Sequence, residues 1–595
     1  MIAARAQGLL RSFNEAGVLS VADIAVALRL SRLGDEPSQE VLLAVALAVR
    51  GVRTGSVCVE LAVLADTVIP DEDAPQIELA WPASWEALQS SPLIAVGETA
   101  PWRPLRLIDG LLYLDRYWQQ EQHVRHGLDQ RAARPAPAVD LTALAALLDG
   151  PVPDRPRLAV AVAASRWVSV ITGGPGTGKT HTVARLLKLL LDQPGTAPRI
   201  ALAAPTGKAA ARLQESVQEQ AAAIGLPADL TASTLHRLLG WRPDSRSRFK
   251  HDASNHLPYD VVVVDEASMV SLTMMARLLE AVRPDARLVL VGDPDQLTPV
   301  DAGAVLSDLV HRPAAAGAVS GLPAGIVDAD LDLDAEERQA LRNGVVRLRV
   351  PHRFGENIGA LAEAIRAGDA DQVLDLLQNA EGLSLHSGTD QLRREVVSFA
   401  TALAAAAGAG DSDLSLLLLN GHRLLCAHRH GTYGVARWND QIATWTGSTP
   451  GRWQPGTPLL VTANDYENKL YNGDTGVVIA TTEGLRAAFP GSSGPQLLPL
   501  SRLSSVQTVH AMTVHRSQGS QYDAVTVLLP TATSAILSRE LLYTAVTRAS
   551  ERVRVVGTEE ALRAAVNRQV VRASGLRRPS PIMTEGGAGE VPPSR

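Results

Sequence analysis

At 595 residues the chain exceeds what one hydrophobic core organises, and length alone gives roughly three to five domains. With 46% hydrophobic and 20% charged residues it has the composition of a folded soluble protein. A formal net charge of −7 excludes a uniformly basic nucleic-acid coat but leaves room for a basic groove. Cys58 and Cys426 stand far apart without metal-ligating neighbours, which argues against a disulfide framework or a zinc or iron–sulfur site and fits a reducing cytosol. The N-terminus lacks a signal peptide, and runs such as Val41–Val49 fall short of the ~20 residues that span a bilayer. A cytoplasmic protein without membrane contact is expected.

Residues 1–110 are expected to be mostly helical, from the apolar spacing through Val18–Leu30 and Val41–Val52. Leu112–Val124 mixes aromatic and charged residues and is expected to pack against the next domain; Pro135–Pro156 is a proline-rich connector. From Trp167 the pattern changes. Val168–Ile171, Ile200–Ala203, Val261–Val264 and Leu288–Val291 are short apolar runs between helices, which implies a parallel sheet covered on both faces. Function in such a sheet sits beyond the carboxyl ends of the strands, where the polar motifs fall. Residues 313–340 are expected to be a loop or mobile insert, and a second α/β region spans about 341–570. Within it, about 455–500 reads as a small inserted barrel, with turn signals at Asn472-Gly473-Asp474. The tail after Gly575 has the Pro, Gly and Ser content of a disordered segment.

The motifs give this frame its chemistry. Gly173-Gly174-Pro175-Gly176-Thr177-Gly178-Lys179-Thr180 satisfies the phosphate-loop pattern between a strand and a helix. Its glycines let backbone N–H groups curl around phosphates, Lys179 neutralises the β- and γ-phosphates, and Thr180 ligates Mg²⁺. Asp265 and Glu266 end a strand; such a pair is either a solvated turn or a metal-holding acid beside a water-activating one, and the phosphate loop upstream favours the second. In GDPDQLT, Gln296 is placed to report the γ-phosphate, with a helix cap by Asp293 or Asp295 as the plainer role. Thr206 and Lys208, at a helix start, suit a backbone phosphate of nucleic acid, and Thr234 with His236 form a weaker version of the same arrangement. Arg353, in VPHRF, is either a domain-surface ion pair or a nucleotide-facing arginine. In LLYTAVTRA, Thr544 and Arg548 share one helical face four residues apart, and an arginine held so stabilises transferring phosphate charge.

The ordered set GGPGTGKT, APTGKAA, VVDEASMV, GDPDQLTPV, PHRF, MTVHRSQGSQYD and LLYTAVTRA resembles superfamily 1 helicases, and in detail the RecD family of the bacterial RecBCD complex, exodeoxyribonuclease V. The resemblance runs from about Leu112 to Gly557 and includes LCAHRHGTYGVARWN and NDYENKLYNGDTGVV, with a RecD-like VLLAVALAVRGVRTGSVCVEL near the N-terminus. It implies two RecA-like motor domains of parallel sheet, about 111–340 and 341–575, a helical partner-binding domain over 1–110, a duplex-splitting β-hairpin near 240–258 and an SH3-like barrel. It implies ATP and Mg²⁺, with Thr180 and Asp265 on the metal, Gln296, Arg353 and Arg548 at the γ-phosphate, and Gly519 beside it. Thr206, Lys208, Thr234, His236, Thr513, His515, Ser517 and Gln518 would line the single strand. It further implies 5′→3′ helicase activity on single- and double-stranded DNA ends within a heterotrimer of RecB-like and RecC-like partners.

Three positions depart from the family pattern. No glutamine lies upstream of the phosphate loop, where Pro156-Arg157-Leu158 stands; Arg516 replaces the usual Lys, and Gln521 the common Glu. A standalone RecD-like helicase and a regulatory subunit with an ATPase switch are the competing functions. No further acidic cluster suggests a two-metal nuclease, so strand cleavage is expected of a partner.

Overall fold

The apolar stripes of the N-terminal region form helices Gly8–Glu15, Val21–Gly34 and Gln39–Arg53. Ser20 and Ser38 cap the second and third, each accepting a backbone N–H bond from the third residue of its helix. Their inward faces close a core of Phe13, Ile24, Leu43 and Leu47. Helix does not continue to residue 110 as expected. Strands β1 (Cys58–Glu60), β2 (Ile94–Val96), β3 (Leu105–Ile108) and β4 (Leu111–Leu114) make a mixed sheet in the order β1-β4-β3-β2. Asp109 and Gly110 take left-handed backbone (φ 47° and 77°), the two-residue turn that an Asp-Gly pair favours, and fold β4 back on β3. The computed structural model describes residues 2–579 apart from 71–74, 76, 145–154, 228, 243–247, 314–332, 351–354, 449–451, 466 and 492–493.

Helix Asp115–Ala133 leaves β4 and lies along helix Leu272–Ala281, where Thr273 donates to the Gln120 amide oxygen and Arg131 to the Val282 carbonyl. The four apolar runs become strands of a six-stranded, wholly parallel sheet. These are β5 (Val168–Gly173), β6 (Ile200–Ala204), β7 (Ala232–Thr234), β8 (Val261–Val264), β9 (Arg287–Gly292) and β10 (Val345–Leu348), in the order β10-β5-β9-β8-β6-β7. Successive side chains enter opposite cores: Val262 and Val264 with Leu288 and Leu290 on one face, Val261 and Val263 with Val289 and Val291 on the other. Two faces buried this way explain why the runs are continuously apolar.

Strand β10 pairs with β5, so the first sheet extends beyond the expected limit at residue 340. Just before it, Ala335–Arg342 is a helix rather than loop, opened by a reciprocal capping box between Asp334 and Glu337.

The second motor sheet is also parallel. It contains β11 (Leu383–His386), β12 (His422–Cys426) and, after an insertion, β18 (Ala511–Thr513), β19 (Tyr522–Leu528) and β20 (Ala549–Val556), in the order β11-β20-β19-β12-β18. The insertion is a five-stranded antiparallel sheet: β13 (Pro458–Val461), β14 (Thr475–Thr481), β15 (Gly484–Phe489), β16 (Gln496–Pro499) and β17 (Val506–Thr508). Leu459, Val461, Val478 and Phe489 fill its core, and β17 carries it past residue 500.

The segment after Gly575 does not begin as a free tail. Gly575–Arg577 is a tight turn with Leu576 fully buried, fastened to the N-terminal half of the chain. Val57 N–H donates to the Ala573 carbonyl at 2.9 Å, Gly575 N–H to Glu121 at 2.9 Å, and Arg577 pairs with Asp308 at 2.7 Å. A Cβ on Gly575 would sit 2.4 Å from Glu121 Oε1, so no side chain fits there. Residues 580–595 lie outside the described residues. No helix among the described residues is long and apolar enough to cross a membrane.

Candidate nucleotide and single-strand site

The nucleotide motifs leave the carboxyl ends of three adjacent strands, β5, β9 and β8. After β5, Gly176 and Gly178 take left-handed backbone (φ 80° and 81°), curling the loop into helix Lys179–Leu191. The Lys179 ammonium donates to the carbonyls of Gly173 (2.7 Å) and Gly174 (2.9 Å), holding it over the loop. After β8, the Asp265 carboxylate accepts from Glu266 N–H at 2.8 Å. Glu266 itself is left-handed (φ 51°), a conformation that costs a glutamate about 1–3 kcal/mol and persists only where the surroundings impose it. That strain falls on the residue expected to activate water. After β9, Asp293 is buried and accepts from the Gln296 amide at 3.1 Å.

Burial, reinforced by the neighbouring Glu266, pushes the Asp265 carboxyl up to about 6; burial and Asp295 push Asp293 up to about 6 as well, with Lys179 opposing both. A desolvated Asp265 carboxylate beside Glu266, with the Thr180 hydroxyl next in the chain to Lys179, is a set of hard oxygen donors whose chemistry fits Mg²⁺. Raised carboxyl values mean that ionisation costs folding energy: the contribution is favourable below the ordinary carboxylate range and is lost as pH rises through about 6. The melting temperature of nucleotide-free Asp293→Asn is therefore expected to gain on that of wild type as pH rises from 4.5 to 7.5. A scan of melting temperature against pH checks this; an advantage growing toward acid would contradict it.

The second motor domain closes on this site through three hydrogen bonds. Tyr543 Oη donates to Asp293 Oδ2 at 3.1 Å, Leu297 N–H donates to Thr544 Oγ1 at 2.8 Å, and the Gln518 amide donates to the Leu297 carbonyl at 3.0 Å. Helix Arg539–Val546 ends before Arg548, which stands in the following turn rather than on the helix as expected. The four-residue relation to Thr544 survives: Arg548 Nε donates to the Thr544 carbonyl at 3.0 Å. Arg548 is 4% exposed; burial weakens its hold on the proton, and the charges of Glu266 and Asp293 strengthen it. Gln296 turns to Asp293 here, and Gly519 (φ 71°) bends the chain beside Gln518. Arg353 lies outside the described residues.

Three expected strand contacts share one local design. Thr206, Thr234 and Thr513 each follow or end a parallel strand and cap the next helix, accepting from Ala209, Arg237 and Arg516 N–H groups. Capped helix starts lined along the upper edge of two sheets suit a phosphodiester backbone. His515 is partly buried beside this edge, with burial and the charges of Arg572 and Arg429 lowering its proton affinity. His236 is exposed and lies against Phe249, with ring centroids 5.9 Å apart. In the expected splitting hairpin, Trp241 pairs with Phe249 in antiparallel fashion, while residues 243–247 lie outside the described set. Two further expected strand contacts are engaged within the protein. Ser517 is fully buried and donates to the Val514 carbonyl, and Lys208 is held between the domains, donating to the Gly473 carbonyl (3.0 Å) and Ser520 Oγ (2.7 Å).

A family model described as the RecBCD enzyme subunit RecD, N-terminal domain, matches residues 15–113; an AAA domain matches 156–302, and a UvrD-like helicase C-terminal domain matches 508–556. The RecBCD enzyme subunit RecD of Mycolicibacterium smegmatis is 52% identical over 590 residues, covering 96% of this chain and 98% of that relative. The chain belongs to the RecD family. The Haemophilus influenzae protein of the same name is 31% identical over 532 residues, 80% of each chain. The ATP-dependent RecD2 DNA helicase of Deinococcus radiodurans is 34% identical over 402 residues, 67% of this chain and 48% of that helicase.

As a RecD family member the chain is a helicase with a P-loop NTPase fold that binds ATP and DNA. The AAA match holds the phosphate loop, Asp265, Glu266 and Gln296, and the UvrD-like match holds Thr513–Gly519 and Arg548. Motif reading missed the RecD residues that join them. Tyr543 crosses to Asp293, Ser520 receives Lys208, and Asn439 fixes β18 by accepting from His510 N–H (2.7 Å) and Ala511 N–H (3.0 Å). The signals lay within the motifs: Tyr543 is a polar-tipped aromatic on a helix buried from Glu540 to Val546, and a buried hydroxyl needs a partner.

Proposed function

We propose that this chain is the ATP-driven 5′→3′ DNA helicase subunit of a RecBCD-type complex that unwinds double-strand DNA ends for recombinational repair. It works in a heterotrimer with RecB-like and RecC-like partners, and strand cleavage belongs to a partner. What carries the reading is the bridge through Leu297: the loop behind the nucleotide site is hydrogen-bonded to Thr544, next to the γ-phosphate arginine, and to Gln518, on the strand-facing turn.

Lys179 exchanges its carbonyl partners for the β- and γ-phosphates, and Thr180 and Asp265 would hold Mg²⁺. Bound there, the ion would supply positive charge against the phosphates. Glu266 takes the proton of the attacking water, and Arg548 and Arg353 meet the charge that develops on the γ-phosphate. Arg548 comes from the second motor domain, so catalytic alignment of the arginines requires a closed cleft. Loss of the γ-phosphate removes their partner, and the relaxing bridge moves Gln518 and the Thr513-capped turn relative to Thr206 and Thr234. One strand held alternately by the two sets of caps is thereby ratcheted.

The test compares 5′-tailed and 3′-tailed duplexes, for the isolated chain and for the reconstituted complex. ATP-dependent unwinding of the 5′-tailed duplex is expected, lost in Lys179→Ala, with no strand degradation by the isolated chain. Preference for 3′ tails, or nuclease activity of the chain alone, would sink the proposal.

A further inference from the structure

A recess lies at the opposite end of the first motor sheet from the phosphate loop, beside Val168 and Val345, where β5 and β10 begin. Arg131, Arg134, Arg166, Arg312 and Arg342 line it, and Asp129 is the one carboxylate among the described lining residues. That carboxylate already pairs with Arg312. Arg131 is 4% exposed; its terminal nitrogens donate to the Gly127 and Val282 carbonyls, but its Nε is buried without a hydrogen-bond partner. Burial, with Arg134 adding like charge, pushes its proton affinity down to about 10. Arg166 donates to the Arg342 carbonyl, and Arg134 sits 5.5 Å above the Trp167 ring. Five guanidinium groups around one recess draw an anion, and they stand out in a chain whose net charge is −7.

Size and position select the anion. The cavity is about 60 Å³, against the roughly 300–1,000 Å³ of small-molecule sites, so it admits a carboxylate side chain and not a nucleotide. Its floor includes Leu128 and Leu309, which suit apolar neighbours of that carboxylate rather than a sugar-phosphate chain. The helix caps proposed to hold DNA lie at the other ends of the strands.

We propose that this recess is a socket for an acidic side chain, flanked by apolar residues, on a partner subunit. The proposal rests on the subunit reading above. Guanidinium groups meet a carboxylate through paired N–H bonds, which fixes orientation as well as affinity.

The test reconstitutes the full-length chain with its RecB-type and RecC-type partners and compares wild type with Arg134→Glu/Arg342→Glu, two exposed positions outside the motor site. The isolated variant is expected to keep wild-type ATPase and melting temperature, while its dissociation constant for assembly rises about tenfold or more and becomes less salt-sensitive. An unchanged constant with normal wild-type assembly overturns the socket and leaves the subunit reading standing; failure of the wild-type chain to assemble overturns both. A melting temperature that falls further in the isolated variant than in Arg134→Gln/Arg342→Gln, which lacks the same contacts without adding negative charge, places the compensating anion within this chain, and that result also overturns the proposal.

Discussion

Arg548→Ala is expected to bind ATP nearly as well as wild type and to hydrolyse it at least about 10³-fold more slowly, the scale of an arginine that stabilises transferring phosphate charge. In barrier terms that is about 4 kcal/mol. The expectation follows from placement: Lys179 and the loop amides that hold ATP belong to the first motor domain, whereas Arg548 arrives from the second. Because Arg548 is buried and bonded to the Thr544 carbonyl, the substitution also disturbs its turn. Arg548→Lys separates the two effects, since it keeps charge without the planar fork and is expected to recover little hydrolysis. Nucleotide binding followed by fluorescence, beside single-turnover hydrolysis, is the measurement. Hydrolysis at the wild-type rate would remove Arg548 from the site, and a parallel loss of binding would make it structural.

Glu266→Gln is expected to lower the turnover of bound ATP by roughly 10²–10⁴-fold, the range for removing a positioned general base, while leaving ATP binding intact. The amide preserves shape and the left-handed backbone but cannot take a proton, so the change isolates chemistry from fold. Asp265→Asn is the informative partner. It should impair the Mg²⁺ dependence of binding, so the two acids separate by readout: one moves turnover, the other moves metal affinity. Single-turnover hydrolysis across a Mg²⁺ titration checks both. A Glu266→Gln enzyme that turns over normally would assign the water-activating role elsewhere.

The legible parts of this chain are those that neighbouring residues determine. Val261–Val264 is fully apolar because β8 is buried on both faces, and Asp265 follows because that strand end opens on the phosphate loop. The Asp109-Gly110 turn is equally local, but the helical spacing that precedes it through Val52 outweighs so short a signal. Capping explains the Ala335–Arg342 helix in a stretch whose acidic composition suggested loop. Other features have no local signature. The edge pairing of β10 with β5 joins residues some 175 apart, from Val345 to Val170, and the docking of Gly575 on Glu121 spans more of the chain still. Lys208 reads as a strand contact until its partners, Gly473 and Ser520, are known from distant segments. Ser517 sits inside a motif, yet its neighbours bury it completely. Motif reading identifies which loops matter; packing decides which side chains on them face ligand.

The proposed coupling of nucleotide state to strand grip runs through Leu297, and the stimulation of ATP hydrolysis by single-stranded DNA in Gln518→Ala tests it most directly. Gln518 reaches the Leu297 carbonyl from the strand-facing turn, and Leu297 N–H reaches Thr544. Stimulation that falls close to none in the variant, at DNA concentrations saturating for both proteins, is the predicted result. Stimulation equal to wild type would show that the two sites communicate by another route and would contradict the mechanism.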